Sequence, residues 1–443
     1  MIPLLAVQRF PPPQFTETGH QLPGLTGPAA RAQSLEYLDV AVLLVALSVA
    51  AWLALRLRSR RWLAALGICA LLYFGFWRKG CICSIGSIQN IAEALGDSSV
   101  GVPWTVLAFG LLPLAFALLF GRVFCAAVCP HGALQDLMLI KPVAVPPWLE
   151  HGLRLLAHIY LGMAMIFAAT GGGYIICQYD PFVPIFRFSG TTAMVAAGVA
   201  LLVAGLFIGR PYCRFLCPYG VLLGLASRVS RWRVRVTPDI CTQCRLCEQS
   251  CPVGAINPST LDAPARSAAA HRRRLVIRFF LLPALIAAGL GLGARVGTNL
   301  ARRHRVVNLA ERVYLEDSGR VQDTTDASAA FRATSASVDE LYASAQVLRH
   351  RYVLAGRLGG GWVGLVVGLK LITLAIRRRR RDYEADQTRC IACARCYLYC
   401  PQELKRLGWP VPEASPGAPR HDPAAVAGHA ASHPPHPDVR APS

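Results

Sequence analysis

Apolar residues fall in blocks too long for the core of a soluble domain. Seven stretches carry little charge: residues 38–56, 61–77, 102–121, 153–176, 191–209, 275–294 and 357–376. Each approaches the ~20 residues a helix needs to cross a bilayer. The 61–77 stretch is short, and predicts a tilted helix or one that ends in a re-entrant turn. Charge at the ends of these blocks sets their direction. Arg56, Arg58, Arg60 and Arg61 crowd the first turn, and Arg377 to Arg381 follow the last block. Placing both clusters in the cytoplasm puts the amino terminus outside and the carboxy terminus inside, because short basic loops stay on the cytoplasmic face. Residues 1–37 are then an external tail and 38–210 a membrane core of five spans. A cytoplasmic segment follows at 211–272, span six at 275–294, an external loop at 296–353 and span seven at 357–376. Residues 377–410 return to the cytoplasm. Residues 411–443, rich in proline, alanine and histidine, are expected to be disordered.

Composition agrees with this reading. The chain of 443 residues is 54% hydrophobic and 16% charged, with a mean hydropathy of +0.40. Soluble domains average about 25% charged residues. The net charge of +21 lies mainly at the ends of apolar blocks, where it serves orientation in a bacterial inner membrane and gives no reason to expect nucleic acid. The proline-rich amino terminus lacks the basic and apolar regions of a cleaved signal peptide. The external loop holds amphipathic stretches at Val306 to Tyr314 and Val338 to Leu348, enough for short helices.

The cysteines carry the chemistry. Cys241, Cys244, Cys247 and Cys251 precede Pro252, and Cys390, Cys393, Cys396 and Cys400 precede Pro401. Both runs read C-x2-C-x2-C-x3-C-P, in which three thiolates take one [4Fe–4S] cluster and the fourth takes the other. That spacing predicts one cluster on Cys241, Cys244, Cys247 and Cys400, and a second on Cys390, Cys393, Cys396 and Cys251. The predicted topology delivers both runs to the cytoplasm, joined by a helix out and a helix back. The fold class expected is therefore mainly α: a polytopic helical membrane protein of about seven spans with a cytoplasmic two-cluster ferredoxin-like unit. Zinc is a poor fit, because its sites pair separated C-x2-C knuckles. The absence of Cys-x-x-Cys-His gives no reason to expect covalent haem.

A second set is repeated inside the membrane core. Gly121-Arg122 leads to Cys125 and Cys129-Pro130-His131-Gly132, and Gly209-Arg210 leads to Cys213 and Cys217-Pro218-Tyr219-Gly220. Two C-x3-C-P motifs at equivalent span ends imply paired hairpins about a pseudo-symmetry axis, with four thiols converging near the inner face. They are expected either to hold a further cluster or metal, or to pack as neutral thiols, with the prolines ending their helices. A looser echo, Cys83-Ser-Ile-Gly86-Ser-Ile-Gln89, resembles Cys129 to Gln135. With Cys81 and Cys177 it marks a possible external metal or cofactor site, or a disulfide. Cys69 reads as a packing residue. His131 and His158 are candidates for ligands or for accepting a proton from quinol.

Two C-x3-C-P motifs followed by ferredoxin-type runs resemble the NosR/NapH type of polyferredoxin membrane protein, over roughly residues 60 to 405. The chain departs from NosR in having only residues 1–37 before the spans, too few for the flavin domain, and in splitting its ferredoxin runs with a helical hairpin. The resemblance implies iron–sulfur electron transfer between the quinol pool or a cytoplasmic donor and a periplasmic redox partner, such as a nitrous-oxide or nitrate reductase system. The alternative is a maturation factor that reduces a metal such as copper for another enzyme.

Overall fold

The computed structural model describes residues 32–410 apart from 81–83, 98, 172, 237–243, 261–267, 335–336, 377–379, 381, 407 and 409. The chain is mainly helical, and every apolar block forms helix. Among the described residues four helices are long and apolar enough to cross a membrane: Gln33–Leu57, Pro147–Ala169, Arg272–Arg303 and Val338–Ala375. Trp104–Phe120, Thr192–Gly205 and Pro218–Ser227 are apolar but shorter. At ~1.5 Å per residue a helix of 14 residues falls short of a ~30 Å hydrocarbon layer. By length alone four helices reach spanning size, and the three shorter apolar helices leave the expected count of seven neither confirmed nor excluded.

In chain order the core is built from α1 (Gln33–Trp52), α2 (Arg60–Ala70), α3 (Ser84–Gly96), α4 (Trp104–Phe120), α5 (Val123–Ala127), α6 (Pro130–Met138), α7 (Pro147–Ala169), α8 (Ile175–Tyr179), α9 (Val183–Arg187), α10 (Thr192–Gly205), α11 (Pro211–Phe215) and α12 (Pro218–Ser227). The short second block continues from α2 through a π-helical Leu71–Trp77. Leu43, Leu47, Leu63, Phe182, Phe186 and Leu223 are among the side chains wholly enclosed between these helices. Asp39, fully buried near the start of α1, pairs with Arg78 at 2.9 Å beyond the end of the π-helical turn, as an antiparallel hairpin requires.

Two stretches expected in external connections instead pack against the middle of helices. A Cβ added to Gly110, halfway along α4, would stand 2.6 Å from Ser87 Oγ of α3. One added to Gly198, halfway along α10, would meet the carbonyl oxygen of Pro181. The glycines are the physical reason: they clear space for the α3 and α8–α9 segments to turn back into the bundle.

The remainder is a long hairpin of α14 (Ala268–Arg303) and α17 (Val338–Ala375), preceded by α13 (Leu246–Gln249). Gly289 lies against Gly360 and Gly293 against Gly356, so close that a Cβ at any of the four would enter the carbonyl oxygen opposite. Small residues at every fourth position let helix backbones meet in a membrane, where apolar burial itself gives no drive. Between them, α15 (Arg305–Asp317), α16 (Asp326–Arg332) and the start of α17 close a small apolar cluster around Val307, Val313, Leu341 and Ala345. Two of these helices lie on the amphipathic stretches of the loop.

Candidate functional site

After α17, the second ferredoxin run folds back on the first. β1 (Ile256–Asn257) pairs antiparallel with β2 (Glu384–Ala385), and α13 packs on α18 (Arg395–Tyr399). Cys251 of the first run and Cys390, Cys393 and Cys396 of the second line one cavity, walled by Val234, Val253 and Ile256. Arg245 and Ala394, each following the second cysteine of its run, share the left-handed conformation, as does Ala392. Matching strained turns of this kind mark loops shaped to aim side chains inward. The backbone N–H of Ala255 donates to Cys251 Sγ at 3.2 Å. Burial pushes the Cys390 thiol up to about 12, against a backbone hydrogen bond at Ala392 and with the help of Cys393 and Cys251. Burial likewise raises Cys251 and Cys396.

Burial thus favours the neutral thiol at Cys251, Cys390 and Cys396; iron would supply the positive charge that makes them thiolates. The donor set fits a [4Fe–4S] cube, whose ligands sit on four separate irons. Among the described residues no three Cys, His, Asp or Glu side chains crowd closely enough to grip a single bare ion. Of the other predicted set, Cys247 is buried beside Val236, Ile256 and Tyr383. Cys400 Sγ reaches the Val236 carbonyl at 4.0 Å, and Cys244 is exposed. Cys241 lies outside the described residues.

The C-x3-C-P motifs form two copies of one device. A short helix, α5 or α11, carries the first cysteine, and the second caps the next helix, α6 or α12. The prolines therefore begin helices instead of ending them: Pro130 and Pro218 occupy the first helical position, where a missing N–H costs nothing. Cys125, Cys129 and Cys217 are buried, Cys213 nearly so, and the four lie close enough to act on one another electrostatically. Arginines cross between the copies. Arg210, 1% exposed, grips Asp136 at 2.8 Å and the carbonyl of Cys125. A Cβ on Gly132 would stand 2.9 Å from its Nη1. Arg122 lies reciprocally over Gly220, at 3.1 Å from a Cβ there.

Both ferredoxin runs dock on these motifs. Pro252, next to Cys251, seats its carbonyl against Gly209. Thr388, two residues before Cys390, accepts from Arg122 Nη1 at 3.0 Å and sits on Gly224 of α12. Glu150 ties the joint: Arg154, Arg214 and Arg389 approach it at 2.7, 3.0 and 3.9 Å. Arg58, from the first basic turn, stacks 4.7 Å over Tyr397 and pairs with buried Glu403 in α19 (Pro401–Arg406).

His131 stands at a buried junction. Its Nε2 lies 3.3 Å from Asp180 Oδ2, and that oxygen accepts from Tyr212 Oη at 3.1 Å. Phe182 and Phe186 meet the imidazole edge-on. His131 follows the inner cysteines and Asp180 the external Cys177, so sets assigned to opposite faces are linked through one cluster. His158 does not join it; Nδ1 pairs with the Arg154 carbonyl at 2.9 Å within its own helix. The echo around Gln89 is structural as well. Gln135 accepts from the N–H of Tyr212 at 3.0 Å and donates to Cys213 Sγ at 3.2 Å. Gln89 accepts from the N–H of Ile176, just before Cys177, at 3.0 Å. Cys81 and Cys83 lie outside the described residues.

The family described as "4Fe-4S binding domain" matches residues 102–141 and 190–237, which hold both C-x3-C-P motifs. A second family of the same description matches residues 234–257, the first ferredoxin run. Protein NirI of Paracoccus denitrificans is 35% identical over 35% of this chain and 24% of its own length. The putative electron transport protein YccM of Escherichia coli is 32% identical over 38% and 52%. The regulatory protein NosR of Pseudomonas aeruginosa is 31% identical over 42% and 28%. The chain thus resembles iron–sulfur membrane proteins of the NosR and NirI kind over about two fifths of its length or less. It spans between a quarter and about half the length of these relatives. No solved structure matches it.

Sequence reasoning missed Asp180, Tyr212, Arg122 and Arg210. Three of the four flank cysteines in repeated positions, and the Gly-Arg dipeptide before each C-x3-C-P motif was the available signal. Asp180 had none, since its partner depends on a segment folding back into the bundle.

Proposed function

We propose that this chain is a membrane electron conduit with two [4Fe–4S] clusters on its cytoplasmic unit and a four-thiolate relay between the C-x3-C-P repeats. The clusters would be held by Cys251, Cys390, Cys393 and Cys396, and by Cys241, Cys244, Cys247 and Cys400. Such clusters exchange single electrons at potentials set by hydrogen bonds and burial. The observation that carries the reading is the docking of both ferredoxin runs on the relay motifs, through Thr388 on Arg122 and Pro252 on Gly209. Val234, Val253 and Ile256 exclude water from one set of thiols, and Gln135 fixes Cys213. The His131–Asp180 pair offers a proton-accepting group beside the relay, as a two-electron, two-proton donor such as quinol requires. A quinol or cytoplasmic donor would then serve a periplasmic redox partner, with Cys177 on the outward side.

In proteoliposomes a quinol analogue should bleach the cluster absorbance of the intact protein. Clusters that stay oxidised with quinol, while dithionite reduces them, would remove quinol from the scheme. The orientation in the inner membrane rests on the basic turns. Reporter fusions after Arg31, Asp326 and Pro410 should read outside, outside and inside, and an inside signal at Asp326 would invert the hairpin.

A further inference from the structure

We propose that Arg122 is the counter-charge of an anionic centre on Cys125, Cys129, Cys213 and Cys217, and that it joins this centre to the second ferredoxin run. The inference rests on the relay reading above. Arg122 is 7% exposed. Its Nη2 points to Cys125 Sγ at 3.6 Å and its Nη1 to the carbonyl of Thr388 at 3.0 Å, while Nε has no partner among the described residues. No carboxylate pairs with it among those residues. The ionisable groups that act on it include the thiols of Cys125, Cys217 and Cys213, and it acts in turn on Cys390.

Its counterpart differs. Arg210 holds Asp136 with two bonds at 2.8 Å, although Asp136 also answers Arg60 at 2.7 Å. One carboxylate thus serves two guanidiniums, and Arg122 is left with none. A buried, unpaired guanidinium costs far more than one hydrogen bond to a neutral thiol or carbonyl returns. The arrangement is stable when the thiols beside it are thiolates bound to metal, with net negative charge. Gly220 is part of the same device, because its missing side chain is the space Nη2 occupies. The same guanidinium spans Cys125 and the backbone two residues before Cys390, so the two centres share one positive charge. Adding an electron to either site makes it more negative, and Arg122 favours that reduction at both.

The test uses the full-length protein, with iron and acid-labile sulfide per chain and an EPR-monitored redox titration as readouts. Arg122→Gln should lower the midpoint potential of the relay centre and weaken its iron retention, while the ferredoxin signals persist. Arg122→Lys, which keeps the charge, should recover most of the potential. A Gln variant with wild-type potential and iron, or a Lys variant as impaired as Gln, overturns the proposal. If the Gln protein does not accumulate, Gly220→Ala carries the test by displacing Nη2 without removing charge. It should lower the same potential, and an unchanged value overturns the assignment. The failure of the underlying reading has a separate signature: Cys129→Ala with Cys217→Ala would remove no iron from the otherwise native protein.

Discussion

Replacing Cys251 by Ala should abolish the EPR signal of the cluster on Cys390, Cys393 and Cys396, while the cluster on the first run survives in reduced yield. About four irons per chain should be lost, as one cube contains four. The spacing of the two runs predicts the same pairing, although Cys251 lies nearer along the chain to Cys241, Cys244 and Cys247. The expectation rests on Cys251 lining the same cavity as the three cysteines of the second run and receiving a hydrogen bond from Ala255 there. The adjacent cluster failing first, with the distant one intact, would reverse the assignment of fourth ligands.

The second large effect belongs to the relay. With Cys129 and Cys217 both changed to Ala, electron transfer from a membrane donor to an impermeant external acceptor should fall at least tenfold in proteoliposomes. The ferredoxin signals should remain, since neither cysteine lines their cavity. Both cysteines stand at the N-cap of a helix that begins with proline, and of the two Cys217 Sγ accepts a backbone bond there, from Gly220 at 3.3 Å. Transfer at the wild-type rate would reduce the four cysteines to packing residues.

The chemistry was more legible than the architecture. Spacing alone paired Cys251 with a run far along the chain, because a ferredoxin loop has a local signature that three-dimensional context does not alter. The repeat of Cys125 and Cys129 in Cys213 and Cys217 was visible for the same reason. Hydropathy gave no measure of how long each apolar helix is. Thr192–Gly205 is as apolar as a full span, but periodicity cannot show that Gly198 admits Pro181 and lets the chain re-enter. Nor could the role of proline after each second cysteine be read locally. The residue that stops one helix starts another, and which occurs depends on the turn before it. His131 was noticed and its partner was not, since Asp180 reaches it only through that re-entry.

The shared cavity also imposes an order on the making of this protein. Cys251 leaves the ribosome before the Gly289–Gly360 hairpin, and Cys390 leaves after it. The hairpin must cross the membrane and return before the walls of the cavity meet. Until then the first run is a set of exposed thiols without its distant partner. A chain stalled within the hairpin would therefore leave Cys251 without the three thiols that share its cavity.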